Sequence, residues 1–235
     1  MIRTQTNKKG FTLLELLIVI TILSILTLVI VLFINPVELL KKSRDVQRMS
    51  DLATMKTAIA LYLQDRSTNS LGGSSYCGTG TLSDTTLAAT SPHISIADTT
   101  PLTGATFTTG GVACATSGGY NATTTADLYK NNGQGWIPYM DFSTFTGGAP
   151  IEKLPVDPTN TATAGTCGVN SLYYRYGCKT NNTFELDATL ESDTYKLAGT
   201  DSKVEKDGGN SEMRFEVGTD LSILPSSAPV GFSAL

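Results

Sequence analysis

The apolar residues of this chain are concentrated at one end. From residue 11 to residue 34 nearly every position is hydrophobic, a run of about 24 residues. As a helix rising about 1.5 Å per residue it would extend roughly 36 Å, enough to cross the hydrocarbon core of a bilayer. Asn35-Pro36 interrupts the run, because proline lacks a backbone N–H and biases the residue before it away from helix. Beyond the proline, Leu39, Val46, Met49, Leu52, Ala53, Ile59, Ala60 and Leu63 recur at three- and four-residue spacing. That spacing predicts an amphipathic helix over 36–66 whose apolar stripe docks on the rest of the chain. Lys42, Arg44, Asp45, Arg48, Asp51 and Lys56 are assigned to its polar face.

From residue 67 to about 135 the periodicity disappears into clusters of Gly, Ser and Thr, which mark loops and short strands, with one short helix expected at 83–89. Period-two alternation returns afterwards. Residues 135–142 fit a strand that Pro138 confines to an edge. Residues 172–177, 183–190 and 212–217 read as three successive strands, joined by a turn at 178–182 and a longer connection at 191–209. The expected class is α+β: a long N-terminal helix, half membrane-spanning and half amphipathic, packed on a C-terminal antiparallel sheet.

Charge divides along the same line. Residues 1–66 carry 9 Lys/Arg against 5 Asp/Glu, net +4; residues 67–235 carry 8 against 16, net −8; the sum is the −4 of the whole chain. Basic residues beside a span are retained on the cytoplasmic side. The acidic distal part argues against a dedicated nucleic-acid surface, which needs clustered positive charge. Four cysteines, Cys77, Cys114, Cys167 and Cys178, all lie beyond the span. An even number in an exported domain points to disulfides, and four allow three pairings. Proximity along the chain favours Cys77 with Cys114 and Cys167 with Cys178.

The N-terminus is the most specific segment. Arg3, Lys8 and Lys9 precede the apolar run, which is longer than the 7–15 residues or so of a secretory signal and has no small-residue cleavage site after it. The small residue, Gly10, comes before the run, and Glu15 is the one charge inside it. An ionisable group at membrane depth is a functional candidate with a partner to be found. The string KKGFTLLELLIVITILSIL, residues 8–26, resembles the class III signal of type IV prepilins and type II secretion pseudopilins. The resemblance implies cleavage after Gly10 by a prepilin peptidase and N-methylation of the new first residue, Phe11. It also implies that Glu15, fifth in the processed chain, pairs with the N-terminal amine of a neighbouring subunit. Pro36 matches the helix-breaking proline common in the family, a few residues later than usual. The stretch from Arg44 to Asp65 and the LPVDPTN segment at 154–160 are similar to pseudopilins as well.

The implied organisation is a leader at 1–10, a transmembrane and polymerisation helix at 11–35, an amphipathic stalk at 36–66, a variable connection at 67–135 and a sheet head at 136–235. The implied function is a non-enzymatic subunit of a type IV pilus for adhesion, motility or DNA uptake, polymerised as a helical homopolymer by a membrane platform and its ATPase. Such a subunit resides in the cytoplasmic membrane, in contact with lipid, before joining an extracellular filament. A pseudopilin of a secretion system is the first alternative. A single-pass anchored binding protein or enzyme is the second, and it gives Gly10-Phe11 no role. No cofactor is expected. Asp193, Asp201, Asp207 and Asp220 form an acidic group in which Asp201 and Asp207 are weak Ca²⁺ candidates, because the ligand spacing is not that of an EF-hand loop. His93 has no ligand constellation around it in sequence and reads as structural.

Overall fold

The computed structural model describes residues 10–65, 70–72, 77, 93–96, 125–160 and 171–224, with the side chains at 32–34 excepted. The expected helix at 83–89 lies outside them, as do Cys114 and Cys167. The chain divides into two compact units, Met1–Leu40 and Lys41–Leu235.

The first unit is dominated by α1, Leu13–Ile34. It ends at a single residue, Asn35, whose backbone is left-handed at φ 43°. Asparagine tolerates that conformation better than most residues. Helix α2, Pro36–Asp65, begins at the proline itself, where the missing N–H would have had no helical partner and the fixed φ suits a first turn. The Asn35 backbone carbonyl accepts the Glu38 and Leu39 amides at 3.1 and 3.3 Å. One residue thus closes one helix and opens the next.

The second unit is an antiparallel sheet with α2 on one face. The strand order is β1 (His93–Ile94), β4 (Tyr174–Cys178), β5 (Phe184–Thr189), β6 (Arg214–Gly218). A separate hairpin of β2 (Asn132–Gln134) and β3 (Pro138–Asp141) follows the short helix α3 (Thr125–Leu128). The meander is the one the alternation predicts, and the Pro138 strand lies at an edge. The two-residue β1 adds an edge to β4, pairing His93 with Tyr176. Leu52, Met55, Ile59 and Tyr62 of α2 join Tyr174, Tyr176, Phe184 and Leu186 of the sheet and Trp136 and Phe142 of the hairpin in one core. Tyr62 meets Phe142 edge-on, with ring centroids 5.6 Å apart.

One expectation about faces is corrected. The buried positions of α2 are Asp45, Arg48, Leu52, Met55, Ala58, Ile59 and Tyr62, while Leu39, Val46 and Ala53 are exposed. The docking stripe is therefore rotated from the apolar one, and Asp45 and Arg48 leave the polar face for the interior. The charges sit there because other chain segments complete their hydrogen bonds, which a hydropathy pattern does not see. The sheet face turned away from α2 is also covered. Arg175, Glu185, Asp187, Thr189, Arg214 and Glu216 alternate with the core residues, yet all are buried. A Cβ on Gly177 would lie 2.7 Å from Leu224 Cδ2 and 3.1 Å from Ile223 Cγ2; glycine there leaves room for the C-terminal segment to lie on this face.

Candidate assembly site

Processing requires an accessible bond. Gly10 and Phe11 are exposed and precede the helix, and Thr12 is extended at φ −82°, ψ 151°. The helix start is built by a reciprocal pair. The Glu15 backbone N–H donates to Thr12 Oγ1 at 3.2 Å, while Glu15 Oε2 accepts from the Thr12 N–H and hydroxyl, each at 2.9 Å. This capping box satisfies two otherwise orphaned donors. Its signature, Thr-x-x-Glu ahead of an apolar run, is present at 12–15. Glu15 is thus already engaged by its own helix before any neighbour is present.

The span itself carries no loose polar group among its hydroxyls. Thr21, Ser24 and Thr27 donate back to the carbonyls of Ile18, Ile20 and Leu23 at 2.7–2.8 Å, the arrangement that hydrocarbon demands. Fifteen large apolar side chains between Leu13 and Val31 are exposed, and none of the Leu13–Val31 span is buried by the rest of the chain.

In the second unit a buried ionic knot holds α2. Arg48 donates from Nε and Nη2 to Asp157 at 2.7 and 2.9 Å, from Nη1 to Asp45 at 2.8 Å and from Nη2 to Thr159 Oγ1 at 2.8 Å. Its Nη2 also lies 2.6 Å from Glu191 Oε1. Arg44 forks onto Glu191 at 2.9 and 2.5 Å. Asp45 accepts the backbone amides of Glu191 and Ser192 at 2.8 and 2.7 Å. Burial alone would lower the Arg48 pKa, but the hydrogen bonds and charges of Asp157 and Glu191 more than offset it and raise it. Burial would raise Asp157, and Arg48 instead holds it below the usual carboxylate range. Nearby, the Tyr174 hydroxyl donates to Asp51 at 2.8 Å; burial raises Asp51 despite that bond.

The disulfide differs from the expected pairing. Cys77 is bonded to Cys178, with Cα atoms 4.7 Å apart across 101 residues of sequence. The bond excludes both Cys77–Cys114 and Cys167–Cys178. Sequence proximity misled because the end of β4 lies beside Leu71 as well as Cys77: the Leu71 amide donates to Asn182 Oδ1 at 3.2 Å in the turn just beyond Cys178.

The acidic candidates have other employment. Asp201 lies 2.7 Å from Lys203 and 3.1 Å from Lys206. Asp207 accepts the Gly209 and Glu216 amides at 2.8 and 2.9 Å, and Asp220 pairs with Lys179 at 2.6 Å. Among the described residues, the acidic side chains whose oxygens converge within 4.8 Å are Glu185, Asp187 and Glu216, a group that includes neither Asp201 nor Asp207. His93 is buried and stacks on Tyr176 at 5.9 Å.

No curated protein and no solved structure matches this chain. Residues 5–31 match the family model described as the prokaryotic N-terminal methylation motif, which spans Gly10, Phe11, Glu15 and the exposed helix, so the chain carries the class III signal of type IV pilins and pseudopilins.

Proposed function

We propose that the chain is a structural subunit of a type IV pilus. It is anchored in the cytoplasmic membrane by α1, cut after Gly10 by a prepilin peptidase, N-methylated at Phe11 and polymerised through α1 into an extracellular filament. The observation that carries this reading is the uncovered apolar span Leu13–Val31 of α1. Each large apolar side chain left in water forgoes roughly 1.5–3 kcal/mol. Fifteen of them, most about half exposed, together are comparable to or larger than the ~5–15 kcal/mol net stability of an ordinary domain. Such a helix needs lipid first and other copies of itself later. Once the leader is removed, the Phe11 amine is a cation at a helix N-terminus, and Glu15 of an adjacent subunit is the carboxylate to neutralise it. A subunit docked at the wrong height strands both charges, at a cost well above that of a mismatched apolar contact. The pair therefore acts mainly to set register.

Mass spectrometry of the mature N-terminus tests the reading. N-methylphenylalanine at position 11 is the expected result, and an intact Met1 overturns it. A second reading, a pseudopilin of a secretion system, is favoured by the Arg48–Asp157 tie, which joins the two segments that are similar to pseudopilins. Recovery of long filaments from the cell surface supports the first reading; short periplasmic assemblies support the second.

A further inference from the structure

We propose that Glu185 and Glu216 bind one proton between them and form a pH-sensitive latch that holds Ile223 and Leu224 on the sheet face turned away from α2. Glu185 Oε2 accepts the backbone amides of Ile223 and Leu224, both at 2.8 Å. Glu216 Oε2 accepts the Ser211 amide at 3.0 Å. The remaining oxygen of each, Oε1, is buried with no hydrogen-bond partner. Together with Asp187, the two carboxyls bring oxygens within 4.8 Å of one another. Two ionised carboxylates this close would repel and would each keep a buried oxygen without a donor, and one shared proton removes the repulsion and supplies the donor.

The surrounding charges favour keeping that proton. From β4 comes Arg175, and from β6 Arg214; both guanidiniums are committed to Asp187 of β5. Asp207 faces Glu216 from the preceding loop through the Glu216 amide. Two cations thus meet four carboxyls. The covering residues 221–224 are Leu, Ser, Ile and Leu and add no charge, and Asp220 beside them is paired with Lys179. Burial, reinforced by the Glu216 contact and the Asp187 charge, pushes the Glu185 carboxyl up to about 9; burial also raises Glu216.

A divalent cation fits the cluster less well. Glu185, Asp187 and Glu216 bring oxygens within 4.8 Å of one another, but both arginines already occupy Asp187. Two oxygens without donors fall far short of the about 6–8 that calcium takes.

The sign follows from linkage. A carboxyl whose folded pKa is raised contributes stability that is fully present below its ordinary pKa and is lost as pH rises through the folded value. The latch is closed in acid and opens in alkali, releasing one proton to solvent.

Hydrogen exchange of the full-length chain in detergent micelles reads this directly. Corrected for intrinsic rates, protection of the Ile223 and Leu224 amides is expected to fall about tenfold per pH unit between roughly pH 6 and 9, the slope of one proton. Glu185→Gln supplies a permanent N–H toward Glu216 and keeps a carbonyl for the two amides, so protection at neutral pH is retained and the pH slope vanishes. Glu216→Gln behaves in the same way and stands in should the first variant not fold. A flat wild-type profile, a Gln variant unprotected at pH 7, or wild-type protection abolished by EDTA and restored by calcium chloride overturns the proposal.

Discussion

Replacing Arg48 by leucine is predicted to destabilise the head far more than replacing its principal partner, Asp157, by asparagine. Arg48→Leu removes the cation that faces Asp45, Asp157 and Glu191. Asp45 and Asp157 are buried, and Glu191 keeps only Arg44. Breaking a buried pair from one side costs about 3–5 kcal/mol, because the abandoned charge remains in the interior. Asp157→Asn leaves Arg48 with Asp45 and Glu191 and keeps one acceptor for the Thr159 and Asn160 amides. Its loss is that of charge-assisted hydrogen bonds, about 1.5–3 kcal/mol. Urea unfolding of the full chain in micelles at neutral pH resolves the two. Trp136, the one tryptophan, is the reporter; it is fully buried, and its Nε1 donates to Pro155 at 2.9 Å, two residues from Asp157. An Arg48→Leu cost no larger than that of Asp157→Asn would refute the view that the knot is organised around one cation.

Three other outcomes follow from the same structure. Reduction, or Cys178→Ser, is expected to lower stability by as much as ~4–5 kcal/mol, since the Cys77–Cys178 bond closes a loop of about 100 residues; a non-reduced digest yielding a Cys167–Cys178 peptide would sink the assignment. Asp157 and Glu191 are held below their ordinary pKa by arginines, so their contribution is present above the usual carboxylate range and is lost as pH falls through it. Urea midpoints measured from pH 6 downward should therefore decline less steeply in Asp157→Asn than in wild type, and parallel declines would contradict this. Glu15→Gln preserves the capping box, in which glutamine serves as well as glutamate, while removing the charge; filament yield is expected to collapse with the helicity of α1 unchanged, and normal filaments would show that the charge is dispensable.

The parts of this protein legible in its sequence are those governed by neighbours along the chain. Hydrophobic run length, the Asn35-Pro36 interruption and the alternation of β4, β5 and β6 are local, and the structure has the span and the meander in those places. The features that escaped are long-range. Arg48 finds Asp157 across 109 residues, and Cys77 finds Cys178 across 101. Nothing in the composition around Arg48 distinguishes a guanidinium bound for the interior from one bound for water; only the acceptors brought by the 157–160 and 191–192 segments do.

The sheet face opposite α2 shows how much a pattern leaves open. Alternation establishes that Arg175, Asp187 and Glu216 share a face, but not whether water reaches it. The cross-strand register places Arg175 beside Asp187 and Asp187 beside Glu216, one cation followed by two carboxyls, and it is Arg214, two residues along β6, that gives Asp187 its second partner; a buried charge persists only when its partners are supplied in this way. One row further along, Glu185 lies opposite Gly177 on β4 and Gly218 on β6, with no cation on either side. A buried carboxylate in that position has no cation directly opposite, and Arg175, whose charge reaches it from two residues along β4, is already bonded to Asp187. The carboxylate must draw on backbone amides and a proton, and the C-terminal segment that supplies the amides is the element that the glycine at 177 makes room for.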